Sequence, residues 1–187
     1  MDEKSRRRAK LGTILAGCLF VFFLSIRFIA PLFASALPAS WLDEIGSELV
    51  TEVGKENGGF CNEEAGLDAL KKMAQAIADE SKTDIEFKVH VSNADVFNAF
   101  AAPGDYIVLY KPIIEEAESP NEVAGVLAHE MAHLVEKHPA EGVAEAIGYT
   151  LFSLINPVGD SFGSSLGKSL LTNAHSRSDE LDADRVG

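Results

Sequence analysis

The sequence predicts an α+β fold, mostly helical with one small antiparallel sheet, preceded by an N-terminal signal or anchor helix. Three observations predict it. Apolar residues recur at helical spacing in several long segments, the period changes to two between Ile85 and Tyr110, and a basic, then uncharged, stretch leads the chain.

Arg6-Arg7-Arg8 and Lys10 precede an uncharged run from Leu11 to Ile26, the layout of a secretory signal or a signal anchor. Sixteen uncharged residues make about 24 Å of helix, short of a hydrocarbon core of about 30 Å unless the flanking arginines snorkel or 28–30 extend it. Ala34-Ser35-Ala36 fits a cleavage site, whereas Phe20, Phe22 and Phe23 favour an uncleaved anchor. Leu15-Ala16-Gly17-Cys18 reads like a lipobox, but the apolar residues that follow Cys18 argue for coincidence. In each case the positive charge before the apolar run puts residues beyond about 40 outside the cytoplasm. The expected location is the bacterial inner membrane, facing the periplasm, or the periplasm itself if the segment is cleaved.

Residues 1–36 form this signal or anchor, 37–66 a linker and leading helix, and 67–187 the main domain. Trp41 to Val53 has helical spacing until Gly54, Gly58 and Gly59 break it, and Leu67, Leu70, Met73, Ala74 and Ile77 line one face of a second helix. Ile85 to Val91 alternates with period two, with His90 on its polar face. Val96 to Ala101 and Tyr106 to Tyr110 flank the turn Pro103-Gly104-Asp105, which makes an antiparallel sheet the economical arrangement. Ser119-Pro120-Asn121-Glu122 supplies an N-cap, a proline at the first helical position and a glutamate three residues after the cap. That helix runs to about Lys137, Pro139 opens another to about Leu154, residues 157–168 read as a loop, and a last helix starts near Ser176 or Ser178.

The formal charge of −13 is uneven: the first 36 residues carry six Lys/Arg against two Asp/Glu, so the body is near −17. Such a surface repels phosphate backbones and argues against nucleic acid as a partner. Two cysteines, Cys18 and Cys61, in dissimilar surroundings imply no disulfide framework, and Cys61 reads as a buried small side chain.

The chemistry concentrates in His129-Glu130-Met131-Ala132-His133. Histidines four apart project from one helix face and can grip one metal ion, ideally zinc, which takes nitrogen and carboxylate donors in a tetrahedron. Glu130, turned about 100° around the axis, faces the water rather than the metal and suits the role of general base. A shuffled chain of this composition would carry such a motif with a chance of roughly 1%, so the plainer alternative of half-exposed helix histidines is weak. For a third ligand, Glu136 and Pro139 stand where a metzincin needs Gly and His, which excludes that class. His138, five residues after His133, is turned away from the metal side. Glu180 is the better candidate, with Asp184 on the same helix face to accept a hydrogen bond from a ligating histidine; simple solvation is the alternative for so acidic a face.

Four stretches together give the chain a resemblance to the M48 family of membrane-associated metallopeptidases. They are Asn98-Ala99-Phe100-Ala101 with Pro103-Gly104; Ser119 to Glu122 leading into the histidine motif; Lys137-His138; and Ser176-Arg177 through Glu180 to Ala183-Asp184. The resemblance implies a gluzincin-like zincin domain holding one Zn2+ per chain on His129, His133 and Glu180, with Glu130 as catalytic base. It implies an extended protein or peptide substrate laid along Asn98, Ala99, Phe100 and Ala101 by β-augmentation. With one plausible span, the chain resembles the single-anchor or exported bacterial members, and family members continue with further helices beyond Asp184. The expected function is a zinc-dependent endopeptidase of cell-envelope protein quality control. The alternative is a membrane-anchored chaperone-like or binding module with a structural or inactive zinc site.

Overall fold

A computed structural model describes residues 29–155 and 177–186, with positions 7, 13, 14, 17 and 21 before them. Its elements are α1 (Ala39–Glu56), α2 (Glu64–Ser81), β1 (Lys88–Ser92), β2 (Ala99–Ala102), β3 (Tyr106–Tyr110), α3 (Lys111–Glu115), α4 (Pro120–Val135), α5 (His138–Ile155) and α6 (Arg177–Val186). The loop expected at 157–168, the Ser176 cap and most of the leading apolar run lie outside the described residues. Among the described residues no helix is long and apolar enough to cross a membrane.

Tyr106-Ile107-Val108-Leu109-Tyr110 is apolar on both faces, and a strand of that kind needs cover on both sides. It takes the centre of a three-stranded sheet ordered β1-β3-β2. Ile107 and Leu109 point to one side, into a core with Leu70 and Ala74 of α2 and Val123, Leu127 and Met131 of α4. Val108 and Tyr110 point to the other and pack on Val50 and Val53 of α1. The architecture is therefore α1, sheet, then α2 with α4. Burial of Leu127, Ile107 and Leu109 to 0% exposure makes this second interface the main apolar contribution, about 1.5–3 kcal/mol for each large side chain.

The sheet is mixed rather than antiparallel. The Pro103-Gly104-Asp105 turn makes β2 and β3 the expected antiparallel hairpin, pairing Ala99 with Leu109 and Ala101 with Ile107. β1, however, runs parallel to β3, from Lys88 opposite Tyr106 to Ser92 opposite Tyr110. The reason lies in the centre: β3, inserted between the other two, offers β1 its remaining edge, and β1 lies antiparallel in direction to β2. Residues 93–98 carry the chain across from one edge to the other, so Val96 and Phe97, expected in the strand, are exposed and precede it. β1 likewise starts at Lys88, where pairing with β3 begins, and not at Ile85. The outer edge of β1 is partly covered by Phe60, bridged to Ser92, and by the Cys61 N–H donating to the Val91 carbonyl at 2.8 Å.

Two details fix α1 over the hairpin. The Pro103 carbonyl occupies the space a Cβ at Gly46 would need, and Gly104, at φ +76, meets the backbone of Asp43. Lys88 ties the same corner together through Asp43 and the Gly104 carbonyl. Next to this corner, where Leu42 also packs, a short helical stretch at 29–34 sets Ala30 and Ala34 against Ala140 and Ala144 of α5, leaving Ile29, Leu32 and Phe33 exposed.

Candidate metal centre

α4 begins at Pro120, as its signals predict, but not through a reciprocal capping box. Ser119 occupies the N-cap position without a side-chain bond, and the Glu122 carboxylate accepts from the Glu118 N–H at 3.1 Å. The glutamate thus secures the residue before the cap rather than the cap itself. Val123, Leu127, Met131 and Leu134 bury one face of the helix, and His129 and His133 stand at its margin, His133 with 1% of its side chain exposed and His129 with 30%.

α6 brings its acidic face to that margin, anchored by Ala183, which is fully buried. His129, Glu180 and His133 converge. The two histidine Nε2 atoms are 3.1 Å apart, Glu180 Oε2 lies 3.4 Å from His129 Nε2, and Glu180 Oε1 lies 3.7 Å from His133 Nε2. These three residues form the one group among the described residues able to hold a metal ion. A tetrahedral ion with bonds of about 2.0–2.1 Å separates its ligand atoms by about 3.3–3.4 Å. The two approaches to Glu180 use different oxygens, and one ligand atom from each residue lies within 4.8 Å of the others, so a small closure around an ion brings the three to that spacing. Two ring nitrogens and a carboxylate are also the donor types zinc takes.

The other nitrogens of the two histidines are engaged too. His129 Nδ1 faces Asp184 Oδ1 at 3.2 Å, as the shared helix face of Glu180 and Asp184 anticipates. His133 Nδ1 lies 2.9 Å from Nδ1 of His138, which is buried. His138 is thus outside the ligand triangle, as its spacing implies, yet it is not turned away from the site. Sequence spacing missed this because it placed His138 by the geometry of the helix that carries His133, whereas the chain turns at Lys137 and α5 begins at His138 itself.

Glu130 is buried beside the triangle, and burial is the main reason its carboxyl is pushed from 4.5 to about 7. The Glu180 carboxylate adds to the rise, while His129 and the backbone N–H of Ala101 oppose it. That N–H comes from β2. The Tyr110 N–H donates to the Asn98 carbonyl across the hairpin at 3.0 Å, so in the antiparallel alternation Asn98, Phe100 and Ala102 turn their backbone groups toward β3. Ala99 and Ala101 turn theirs outward, along the edge that faces Glu130. Of the four residues expected to receive substrate, these two have outward backbone groups, and the Phe100 side chain packs toward Tyr110 on the α1 side.

His90, expected on a polar face, is half-buried between the rings of Phe60 and Tyr106, remote in sequence and in role from the triangle. Cys61 is a partly buried free thiol packed against the main core.

Comparison with known proteins points to a peptidase family. The family model described as peptidase family M48 matches residues 65–187. The chain is 31% identical over 120 residues to the mitochondrial metalloendopeptidase OMA1 of Arabidopsis thaliana, covering 63% of this chain and 25% of that protein. It is 26% identical over 125 residues to the beta-barrel assembly-enhancing protease of Yersinia pestis, covering 59% of this chain and 26% of that one. Against the OMA1 of Saccharomyces cerevisiae the identity is 34% over 73 residues, 38% of this chain and 21% of the relative. The chain matches about a quarter of the length of these relatives.

Proposed function

The chain belongs to peptidase family M48, and we propose that it is a zinc-dependent endopeptidase acting on extended protein segments in the bacterial cell envelope. The observation that carries the proposal is the His129, His133 and Glu180 triangle with the buried Glu130 at its side. A zinc ion bound there supplies Lewis acidity toward a peptide carbonyl and toward water.

The chain's own residues supply the rest. Glu130 takes the proton of the attacking water on its carboxylate and returns it to the leaving amine. Burial raises this carboxyl in the metal-free chain, and a cation beside it would favour the ionised form, which is the form able to take the proton. The Ala101 N–H orients that carboxylate. Along the outer edge of β2, Ala99 and the Ala101 carbonyl have the spacing to pair with an extended substrate backbone, which selects for unfolded segments more than for particular side chains. Asp184 accepts from His129 Nδ1 and holds that ring with Nε2 toward the metal.

The basic and apolar N-terminal sequence supports attachment to, or export across, the inner membrane, with the catalytic domain in the periplasm. The names of the relatives, a mitochondrial metalloendopeptidase and a beta-barrel assembly-enhancing protease, support metal-dependent proteolysis, which here would act on proteins of the cell envelope. The test is casein cleavage by the zinc-loaded chain, before and after Glu130→Gln, with zinc content measured in both. The substitution is expected to keep the zinc and to lower the rate by about 100-fold or more. Cleavage that survives with zinc in place refutes the mechanism. A wild-type chain that binds zinc and unfolded casein without cutting it supports the chaperone-like alternative instead.

A further inference from the structure

Between α4 and α5 the chain reverses within a few residues. The Glu136 N–H closes on the Ala132 carbonyl at 2.9 Å and the Lys137 N–H on the Leu134 carbonyl at 3.1 Å, Lys137 lies in the left-handed region at φ 64, and the Glu141 N–H takes up the Lys137 carbonyl at 3.0 Å. A left-handed residue at this position ends a helix. The reversal brings His138 back against the last turn of α4, with its ring centroid 5.0 Å from that of His133 and the planes 66° apart.

The facing Nδ1 atoms of His133 and His138, 2.9 Å apart and both buried, must share one proton: one nitrogen donates and the other accepts. Nε2 of His133 lies on the triangle side, within 3.1 Å of His129 Nε2. A nitrogen that ligates a metal carries no proton, so the proton of His133 belongs on Nδ1. His138 is then the acceptor, and its own proton belongs on Nε2.

We propose that His138 is a positioning residue for the metal site, accepting the Nδ1–H of His133 so that Nε2 of His133 is bare and aimed at the ion. This rests on the reading of His133 as a metal ligand. His138 is the neutral counterpart of Asp184 at His129. It fixes the tautomer of the buried histidine without adding a fourth carboxylate to a site that already gathers Glu130, Glu180 and Asp184. It also explains why α5 starts where it does, since the turn at Lys137 is what carries the acceptor back to the ligand.

The test uses the full chain, stripped of metal and titrated with Zn2+ against a chromophoric chelator. His138→Leu fills the volume without an acceptor, and His138→Asn keeps an oxygen near the position of Nδ1. The expected result is a loss of Zn2+ affinity of about 10- to 100-fold for the leucine variant and recovery of most of it by asparagine, with both metal-free proteins melting as cooperatively as the wild type. Nitrogen NMR of the zinc-loaded wild type is expected to find His138 protonated on Nε2 and bare on Nδ1. Unchanged affinity in a folded His138→Leu protein overturns the proposal, and so does a proton on Nδ1 of His138. If the leucine variant does not fold, the NMR assignment decides. His129→Ala, expected to abolish binding, tests the metal site separately: a wild type that binds no Zn2+, or an alanine variant that still does, defeats that underlying reading and this proposal together.

Discussion

Glu130→Gln should make the metal-free protein more stable at pH 8, although the same change removes its activity. In the folded chain burial holds the Glu130 carboxyl near 7, while in the unfolded chain it titrates near the ordinary 4.5. Below 4.5 both states are protonated and the residue contributes nothing to pH dependence. Between 4.5 and 7 the unfolded state releases its proton and the folded state keeps it, so stability falls as pH rises, by about 1.36 kcal/mol per pH unit. Above 7 both are ionised and the loss levels off at about 3 kcal/mol. Glutamine has no charge to desolvate, and its amide oxygen can still accept from the Ala101 N–H. Urea unfolding of wild type and variant in chelator at pH 4 and pH 8 therefore predicts near-equal stability at the lower pH. At the higher pH the variant gains up to about 3 kcal/mol. Saturating zinc should shrink the gap at pH 8, because a cation beside Glu130 favours its ionised form. A difference between the two proteins that does not change with pH would refute the idea that burial governs this carboxyl.

Asp184→Asn should weaken Zn2+ binding by about 10- to 100-fold, since an amide orients the His129 ring less firmly, while the melting temperature of the metal-free chain, with Asp184 at the surface, stays put; chelator competition and calorimetry check the two halves. Ala99→Pro removes a backbone N–H that points away from β3, so the hairpin should survive while kcat/KM on casein drops by about tenfold, the value of one hydrogen bond, at unchanged zinc affinity. Phe100→Pro, one residue along, removes an N–H that points into the sheet and should unfold β2 instead; equal behaviour of the two prolines contradicts the assigned strand direction.

Residues whose role depends on local spacing were legible in the sequence. The four-residue separation of His129 and His133 and of Glu180 and Asp184 sets helix faces wherever the helices go, and the burial of Leu127 and Met131 follows from the same period. The Pro-Gly turn likewise signposts the β2–β3 hairpin. Pairing between distant segments is a different matter. Period-two alternation in residues 85–91 reports that one face is buried but not which strand lies alongside, so the parallel partnership of β1 with β3 had no local signature. The His133–His138 contact was hidden for a related reason. It depends on a left-handed residue, and Lys137 is not glycine or asparagine, the residues that usually announce that conformation. Ser119 and Glu122 carry the pattern of a capping box without making its bonds, because the carboxylate reaches Glu118 instead.

A crystal structure of the zinc-loaded chain, with anomalous diffraction at the zinc edge, tests the central claim most directly. The account predicts one strong anomalous peak about 2.0–2.2 Å from His129 Nε2, His133 Nε2 and a Glu180 carboxylate oxygen, with Glu130 alongside but not bonded. A peak on any other residues, or none at these three, would contradict it.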